Sequence, residues 1–171
     1  MLTLIHTFWA LCLLRLGPED LPASDFLLYL MLGLHAVAVV LISLAVYPLG
    51  TALLAGITGT LVLAGLTLAV LQIHKLAGRF HQTLTALAGS GALLTFIALV
   101  PNWWFYAARE SGAGWGTPTL LLFLILIWSV VVTAHILRRA LSTHFFLGLV
   151  IAVVFYWVSA QIHASLFPVP A

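Results

Sequence analysis

Charge is scarce in this sequence. Its 171 residues include six lysines and arginines and four aspartates and glutamates, so that 6% of residues are charged while 64% are hydrophobic. Soluble domains carry about a quarter charged residues, because their outer faces must be hydrated. With a mean hydropathy of +1.22, the composition excludes a soluble globular protein and indicates one whose solvent is lipid. The basic residues form no run or aromatic-interleaved patch, which excludes a nucleic-acid partner.

The chain has a single cysteine, and no acidic residue lies inside an apolar run. Cys12 is the sole cysteine, which excludes an internal disulfide and a cysteine-based zinc site. No aspartate or glutamate falls within an apolar run, so the paired aspartates or His-Glu motifs that intramembrane proteolysis needs are absent. The glycines of "TALAGSGALL" lie inside an apolar run rather than between a strand and a helix, which excludes a phosphate-binding loop. The sequence therefore predicts no enzyme, no metal site and no cofactor.

Five long apolar runs, separated by short breaks, make up most of the chain. A membrane-spanning helix needs about 20 apolar residues. Residues 1–16 are too few to cross the hydrocarbon layer and are predicted to form an interfacial helix lying on the membrane. The fold class is all-α, a polytopic membrane helix bundle of five transmembrane helices plus that N-terminal helix, in a single transmembrane domain over residues 1–171. The predicted spans are 26–47, 51–73, 82–105, 119–137 and 144–167.

Lysine and arginine fall unevenly among the breaks between these spans. With five spans, Arg109 alone lies on one side of the membrane, and the other side holds Arg15, Lys75, Arg79, Arg138 and Arg139. Short cytoplasmic loops are enriched in lysine and arginine. The sequence therefore predicts a multi-pass protein of the inner membrane, with the N-terminus cytoplasmic and the C-terminus periplasmic.

Three of the four acidic residues lie in "RLGPEDLPASDF", just before the first span. Within it, residues 17–25 are here called the elbow, because they turn the chain from the N-terminal helix into that span. Gly17 is predicted to end the N-terminal helix, and residues 24–25 to cap the next one. Glu19 and Asp20 can pair with Arg15 or with the other basic residues on that side. The pattern favours a hydrated connector, with partner docking through Glu19 and Asp20 as the alternative.

Small residues recur at helical spacing in three of the predicted spans. Apolar burial does not hold helices together in lipid, so close approach of small residues has to do so. This predicts spans two, three and five at the centre of the bundle and leaves the bulky fourth span facing lipid. Self-association through the same residues stays open. The glycines predicted to pack are Gly56, Gly59, Gly89, Gly91 and Gly148.

The chain has seven histidines, more than its acidic or its basic residues. His35 is predicted to lie about 13 Å from the cytoplasmic boundary and His163 nearly 30 Å from it, which is too large an offset for one haem iron. No two histidines have the i, i+3 or i+4 spacing of metal ligands on one helix. An ionisable group near the middle of a bilayer is a functional candidate. His35 and His163 are therefore candidate functional residues, with a neutral His35 bonded to a neighbouring helix as the structural alternative.

The layout resembles the Yip (Ypt-interacting protein) superfamily and its bacterial relatives. "GPEDLP" carries the Gly-Pro and Asp-Leu pieces of the family's Asp-Leu-x-Gly-Pro element in reverse order. "GSGALLTFIALVP", residues 89–101, is similar to the family's third-span motif but departs from it in having no Gly-Tyr. The resemblance implies five closely spaced helices, a cytoplasmic N-terminal segment and a membrane-adaptor role. It does not extend to binding of prenylated GTPases, since the long cytoplasmic domain of the eukaryotic members has no counterpart.

Two classes of function follow from these patterns. The first is a non-enzymatic accessory or scaffold subunit, or Yip-like membrane adaptor, acting on a membrane-protein partner or a second copy through the elbow and the small-residue faces. The second is a small transporter or channel subunit that is active as an oligomer, with His35 and His163 facing the pathway. A third class, a histidine-based cofactor protein, conflicts with the spacing of the histidines.

Overall fold

The computed structural model describes residues 2–112 and 114–168, without the side chains of Leu2 and Thr3. Within these residues the chain is helical and contains no strand. The predicted all-α class is confirmed, and so is the number of helices long and apolar enough to cross a membrane, which is five. The α-helices are α1 (Leu2–Cys12), α2 (Asp25–Ser43), α3 (Leu49–Ile73), α4 (Phe80–Ser111), α5 (Gly116–Leu141) and α6 (Phe145–Leu166). Of the closing segment "PVPA", which follows the predicted fifth span, residues 169–171 lie outside the described residues.

The helix α4 is longer than the predicted third span. It continues through Pro101 and six residues beyond the predicted end at Phe105, to Ser111. Proline has no amide hydrogen for the helical bond and usually kinks or ends a helix. Here the next residue helps to anchor the helix, because Asn102 Nδ2 donates a hydrogen bond of 3.2 Å to the carbonyl of Ile42 in α2. The helix then ends at Gly112, whose φ of +70° suits glycine.

The centre of the bundle is α4, and this corrects part of the predicted arrangement. In α4, 61% of the apolar stretch is buried, against 17% in each of α3 and α6. Spans two and five are therefore peripheral, and only the third of the predicted central spans is central. The bulky fourth span, α5, is more buried than either, at 39%. Bulk did not keep α5 out of the core, because its last ten residues are covered by the elbow and by α1, α4 and α6.

The five glycines predicted to pack all face a neighbouring helix. A Cβ atom at Gly148 would lie 2.6 Å from the carbonyl oxygen of Ala134 in α5, and one at Gly56 would lie 2.9 Å from that of Ala36 in α2. Gly89 lies directly under the ring of Phe8 in α1. Gly59 and Gly91 are less tight, since their Cβ positions are 3.5 Å from Val39 and 3.3 Å from His35. Gly56 and Gly148 allow backbones to approach where an alanine would push the helices apart.

Helix α1 packs along the side of the bundle. Phe8, Leu11 and Cys12 are buried, and the Trp128 indole of α5 donates a 2.8 Å hydrogen bond to the Cys12 carbonyl. Gly89, which Phe8 covers, is nine residues beyond the start of α4, or about 14 Å along that helix. The short N-terminal helix is thus an attached part of the bundle. Its location at the membrane interface stays a prediction.

The elbow is docked on the bundle rather than free. Pro18 and Leu21 are buried, and Gln82 Nε2 of α4 donates a 2.8 Å hydrogen bond to the Leu21 carbonyl. Ser24 caps α2 by accepting the Leu27 amide at 3.4 Å, as predicted. The prediction that Gly17 ends α1 is wrong, because α1 ends at Cys12 and the chain turns earlier, where Leu14 has a φ of +62°.

Candidate functional site

His35 lies on the face of α2 that meets α3. Its Nδ1 atom is 3.1 Å from the hydroxyl oxygen of Thr60, and that hydroxyl donates its own hydrogen to the Gly56 carbonyl at 2.9 Å. Since the Thr60 hydrogen is already used, the hydrogen between the two side chains belongs to Nδ1. A neutral His35 therefore donates through Nδ1 and keeps a lone pair on Nε2. The predicted hydrogen bond to a neighbouring helix is present.

A cavity of about 190 Å³ opens beside the His35 ring. Its polar edge is built by α5 and α6, where the Tyr156 hydroxyl faces the hydroxyls of Thr133 and Ser129. A polar cavity of this size has room for water, which needs two or more hydrogen-bonding partners. The Nε2 lone pair of His35 is one such acceptor. The residues that line the cavity are His35, Gly59, Leu63, Leu87, Gly91, Thr133, Phe155, Tyr156 and Ser159.

His163 lines a second, larger cavity of about 440 Å³ between α3 and α6. Its ring packs against Phe167 with a centroid separation of 5.0 Å. Tyr47 closes the same region by donating a 2.7 Å hydrogen bond to the Phe167 carbonyl. His163 is 18 residues into α6, or about 27 Å along it, whereas His35 is ten residues, or about 15 Å, into α2. The two histidines do not share a site.

The two cavities are neighbours, because Gly59, Tyr156 and Ser159 line both of them. Together they extend from the end of α6 that carries His163 to the His35 ring inside the bundle. The small residue Gly59 and the sparse packing between α3 and α6 leave this space open. The two candidate histidines therefore line adjoining cavities, but they do not belong to one binding site.

Two acidic residues of the elbow pair with a single arginine of α5, while the third, Asp25, lies 3.6 Å from His81 Nδ1. Glu19 forms an ion pair with Arg139, and Asp20 lies 3.9 Å from the same guanidinium. The Asp20 carboxylate also accepts the Gly17 amide hydrogen at 2.7 Å, which closes the turn. Arg15, the third candidate residue of the elbow region, is exposed and takes no part in these two ion pairs.

Polar contacts from both α4 and α5 hold this end of the molecule together. His135 Nε2 donates to the carbonyl of Leu16 at 3.0 Å, since a carbonyl only accepts. Arg79 donates to the Ala140 carbonyl at 2.7 Å and to the Ser142 hydroxyl at 2.8 Å. Two clefts, of about 270 and 310 Å³, lie on either side of the Glu19–Arg139 pair. We call this end, with the elbow, Arg79, Gln82 and the residues from His135 to Thr143, the rim.

The sequence analysis did not select several residues that build these sites. Ser129 and Thr133 stand four residues apart in the apolar fourth span, and this spacing of two hydroxyls on one face was an available signal. Arg79, Arg138 and Arg139 were used to orient the chain, but their convergence was not foreseen. Arg79 is far in sequence from the adjacent pair Arg138 and Arg139, and they meet only because α4 and α5 pack side by side.

No metal centre is found among the described residues, in which no three His, Cys, Asp or Glu side chains lie close enough to hold an ion. Comparisons with protein-family models, with curated proteins and with solved structures find no match for this chain.

Proposed function

We propose that this protein is a non-enzymatic accessory subunit of the inner membrane that presents its elbow, on the cytoplasmic side, to a membrane-protein partner. The observation that carries the proposal is the fixed geometry of the elbow. Leu16 and Leu21 are each held through their carbonyls by α5 and α4, respectively. A connector that only joined two helices would need no such contacts. This is also the adaptor role that the Yip resemblance implies.

The exposed part of the elbow suits recognition. The side chains of Glu19 and Asp20 are 48% and 40% exposed, so they can reach a partner while their backbone stays fixed. Ordered surface segments of this kind bind with little loss of conformational entropy. The peripheral helices α3 and α6 provide small-residue and apolar surfaces beside the elbow on which a partner's helices could pack.

The experiment is capture of the partner in mild detergent by the full chain carrying an affinity tag. We expect one protein to be recovered in stoichiometric amount, and the double variant Glu19→Gln, Asp20→Asn to recover about tenfold less of it. Glu110→Gln, at the end of α4 away from the elbow, removes the one acidic residue outside the elbow and serves as the control. Equal recovery by the elbow variant and the control would contradict the proposal.

A second candidate is a small transporter or channel subunit, and the adjoining cavities favour it. Their mostly apolar lining carries a few polar side chains between His163 and His35, among them Ser159 and Tyr156. In this case the His35 Nε2 lone pair faces the pathway and accepts a hydrogen bond or a proton from the passing species.

This candidate is tested by flux through liposomes that contain only the purified protein. Proton or ion flux that His35→Gln abolishes and His74→Gln preserves would replace the accessory role with transport. His74 is the control because it is an exposed histidine at the end of α3. Absence of flux from the unmodified protein would remove this candidate.

A further inference from the structure

We infer that the cleft between the end of α5 and the start of α6 binds a phosphoryl group, which goes beyond the proposed accessory role. The cleft has a volume of about 310 Å³. Its lining combines two guanidinium groups, two hydroxyls and one carboxylate, contributed by Arg138, Arg139, Ser142, Thr143 and Glu19.

Two side-chain atoms in this cleft are buried and have no hydrogen-bond partner. They are Arg138 Nε and Thr143 Oγ1. No other buried side-chain nitrogen or oxygen in the described part of the chain lacks a partner. Buried polar atoms in proteins are almost always satisfied, because an unmade bond costs more than a made one contributes. Arg138 Nε is a donor only, and a threonine hydroxyl can donate as well. A ligand that presents several acceptor oxygens would satisfy both atoms at once.

The Arg138 guanidinium is held in place around its free Nε. A terminal nitrogen lies 3.2 Å from His135 Nδ1, and the group lies 5.5 Å from the ring centroid of Phe145. Because His135 Nε2 carries the hydrogen donated to Leu16, a neutral His135 has a lone pair on Nδ1 to accept from Arg138. The guanidinium is therefore clamped from two sides at the wall of the cleft.

The charges around the cleft favour an anion. In its lining, Arg138 and Arg139 contribute two positive charges, and Glu19 contributes one negative charge. The Glu19 carboxylate is already paired with Arg139. An oxyanion of the ligand would therefore share the Arg139 guanidinium with Glu19 or displace the Glu19 carboxylate from it. The cleft also adjoins the first residues of α6, where His144 provides no side-chain cap for the free amides. Such helix starts bind phosphate readily.

The position of the cleft indicates where the phosphoryl group comes from. It lies at the ends of two long apolar helices, where the hydrocarbon layer gives way to lipid headgroups. Basic pockets between membrane helices on the cytoplasmic side hold anionic lipid headgroups. A phospholipid phosphate is therefore the expected ligand, and free phosphate shares the same chemistry.

The test is native mass spectrometry of the purified full chain in a neutral detergent, titrated with dioleoyl phosphatidylglycerol. Dioleoyl phosphatidylcholine serves as the zwitterionic reference, and inorganic phosphate as the competitor. We expect one phosphatidylglycerol to bind with an affinity at least about tenfold above that of phosphatidylcholine. Displacement of this lipid by millimolar phosphate would assign the site to free phosphate, and persistence of the lipid would assign it to the headgroup.

Three variants locate the site. Arg138→Gln and Thr143→Val should each lower the affinity for phosphatidylglycerol, the former about tenfold. Arg15→Gln removes a charge near the elbow but outside the cleft and should change the affinity less than about twofold. Thermal unfolding of each variant confirms that it is folded. If Arg138→Gln does not fold, the near-isosteric Thr143→Val still tests the site.

Glu19→Gln separates this inference from the proposed function. It should strengthen lipid binding, because Arg139 loses a competing carboxylate, while it weakens capture of a protein partner. Binding that is no tighter than for phosphatidylcholine, or that Arg138→Gln and Thr143→Val both leave unchanged, would overturn the phosphoryl site. Neither result would bear on the capture experiment.

Discussion

At the scale of single residues, most hydroxyl groups inside these helices donate a hydrogen bond to a backbone carbonyl of their own helix. Thr67 donates to the Leu63 carbonyl at 2.7 Å, and Ser90 donates to that of Ala86 at 2.7 Å, each one turn earlier in the same helix. Such bonds remove the cost of a polar group in an apolar medium without needing a partner helix. The Thr60 hydroxyl does the same and in addition accepts from His35. That second bond joins α2 to α3.

Cys12 offers a direct test of how α1 is packed. Its side chain is 1% exposed, and burial raises the pKa of the thiol from 9.0 to about 11. Because the thiolate is the reactive species, we expect maleimide at pH 8 to label Cys12 about 100-fold more slowly than an exposed cysteine. The reference is Ser111→Cys in a Cys12→Ala background, since Ser111 is exposed at the end of α4. Comparable rates would show that α1 is not held against the bundle.

The raised pKa of the Cys12 thiol makes the free energy of unfolding depend on pH. Below pH 9.0 the thiol is protonated in both the folded and the unfolded chain, and the contribution of Cys12 is constant. Between pH 9.0 and about 11 the unfolded thiol ionises first, so the free energy of unfolding falls as the pH rises. In the Cys12→Ala variant this part of the pH dependence should be absent.

At the scale of helices, close backbone approach rather than hydrophobicity decides which pairs form. The spans are all strongly apolar, so apolarity does not distinguish one face of a helix from another. Helix α6 meets α5 through Gly148, where the nearest atoms are the Ala134 carbonyl oxygen and the Arg138 backbone. A backbone contact has no rotamer by which to move away, so this pair of helices is sensitive to one added methyl group.

Replacing Gly148 by alanine should therefore destabilise the protein. We expect a loss of about 1–3 kcal/mol, because the added carbon overlaps the backbone of α5. The matched control is Gly65→Ala in α3, where the Cβ position has no neighbour within 4 Å. That variant should be neutral or slightly stabilised by the higher helix propensity of alanine, by up to about 1 kcal/mol. Unfolding in mixed micelles measures both, and equal stability of the two variants would contradict the close α5–α6 contact.

At the scale of the whole molecule, the positive charges converge on one end. Arg79 before α4, Arg138 and Arg139 at the end of α5, and the elbow before α2 are in mutual contact. This is the geometry expected when the first, third and fifth breaks face the same side. The charge asymmetry that predicts orientation is therefore also a local structure, in which the acidic elbow offsets part of the repulsion among the arginines.

Topology reporters test the predicted orientation. A reporter fused after the last residue should be active outside the cytoplasm, and one fused after residue 142, at the rim, should be active inside. The measurement is the activity, in intact cells, of a cytoplasmic and of a periplasmic reporter fused at each of the two positions. If both fusions report the same side, the number of membrane crossings between them is even, and α6 does not span.

The fold class and the number of spans could be read from the sequence because both depend on composition along the chain. About 20 apolar residues must form a helix in lipid, since no other local structure satisfies their backbone. The Ser24 cap was equally predictable, because it is a contact between neighbours in sequence. The extension of α4 past the predicted end at Phe105 was not, and it is accompanied by an anchoring bond from Asn102 to a different helix.

What the sequence by itself determined is therefore local: which residues are helical, which of them avoid water, and where the charges stand along the chain. Only the tertiary structure decided that α4 is central, that α3 and α6 are peripheral, and that the elbow docks at the rim. It also decided that Arg138 and Thr143 line one cleft, with Arg138 Nε and Thr143 Oγ1 left without hydrogen-bond partners. The physical reason is that the apolar faces of these helices are nearly equivalent in lipid. Steric fit between small residues and a few hydrogen bonds between helices then select the arrangement.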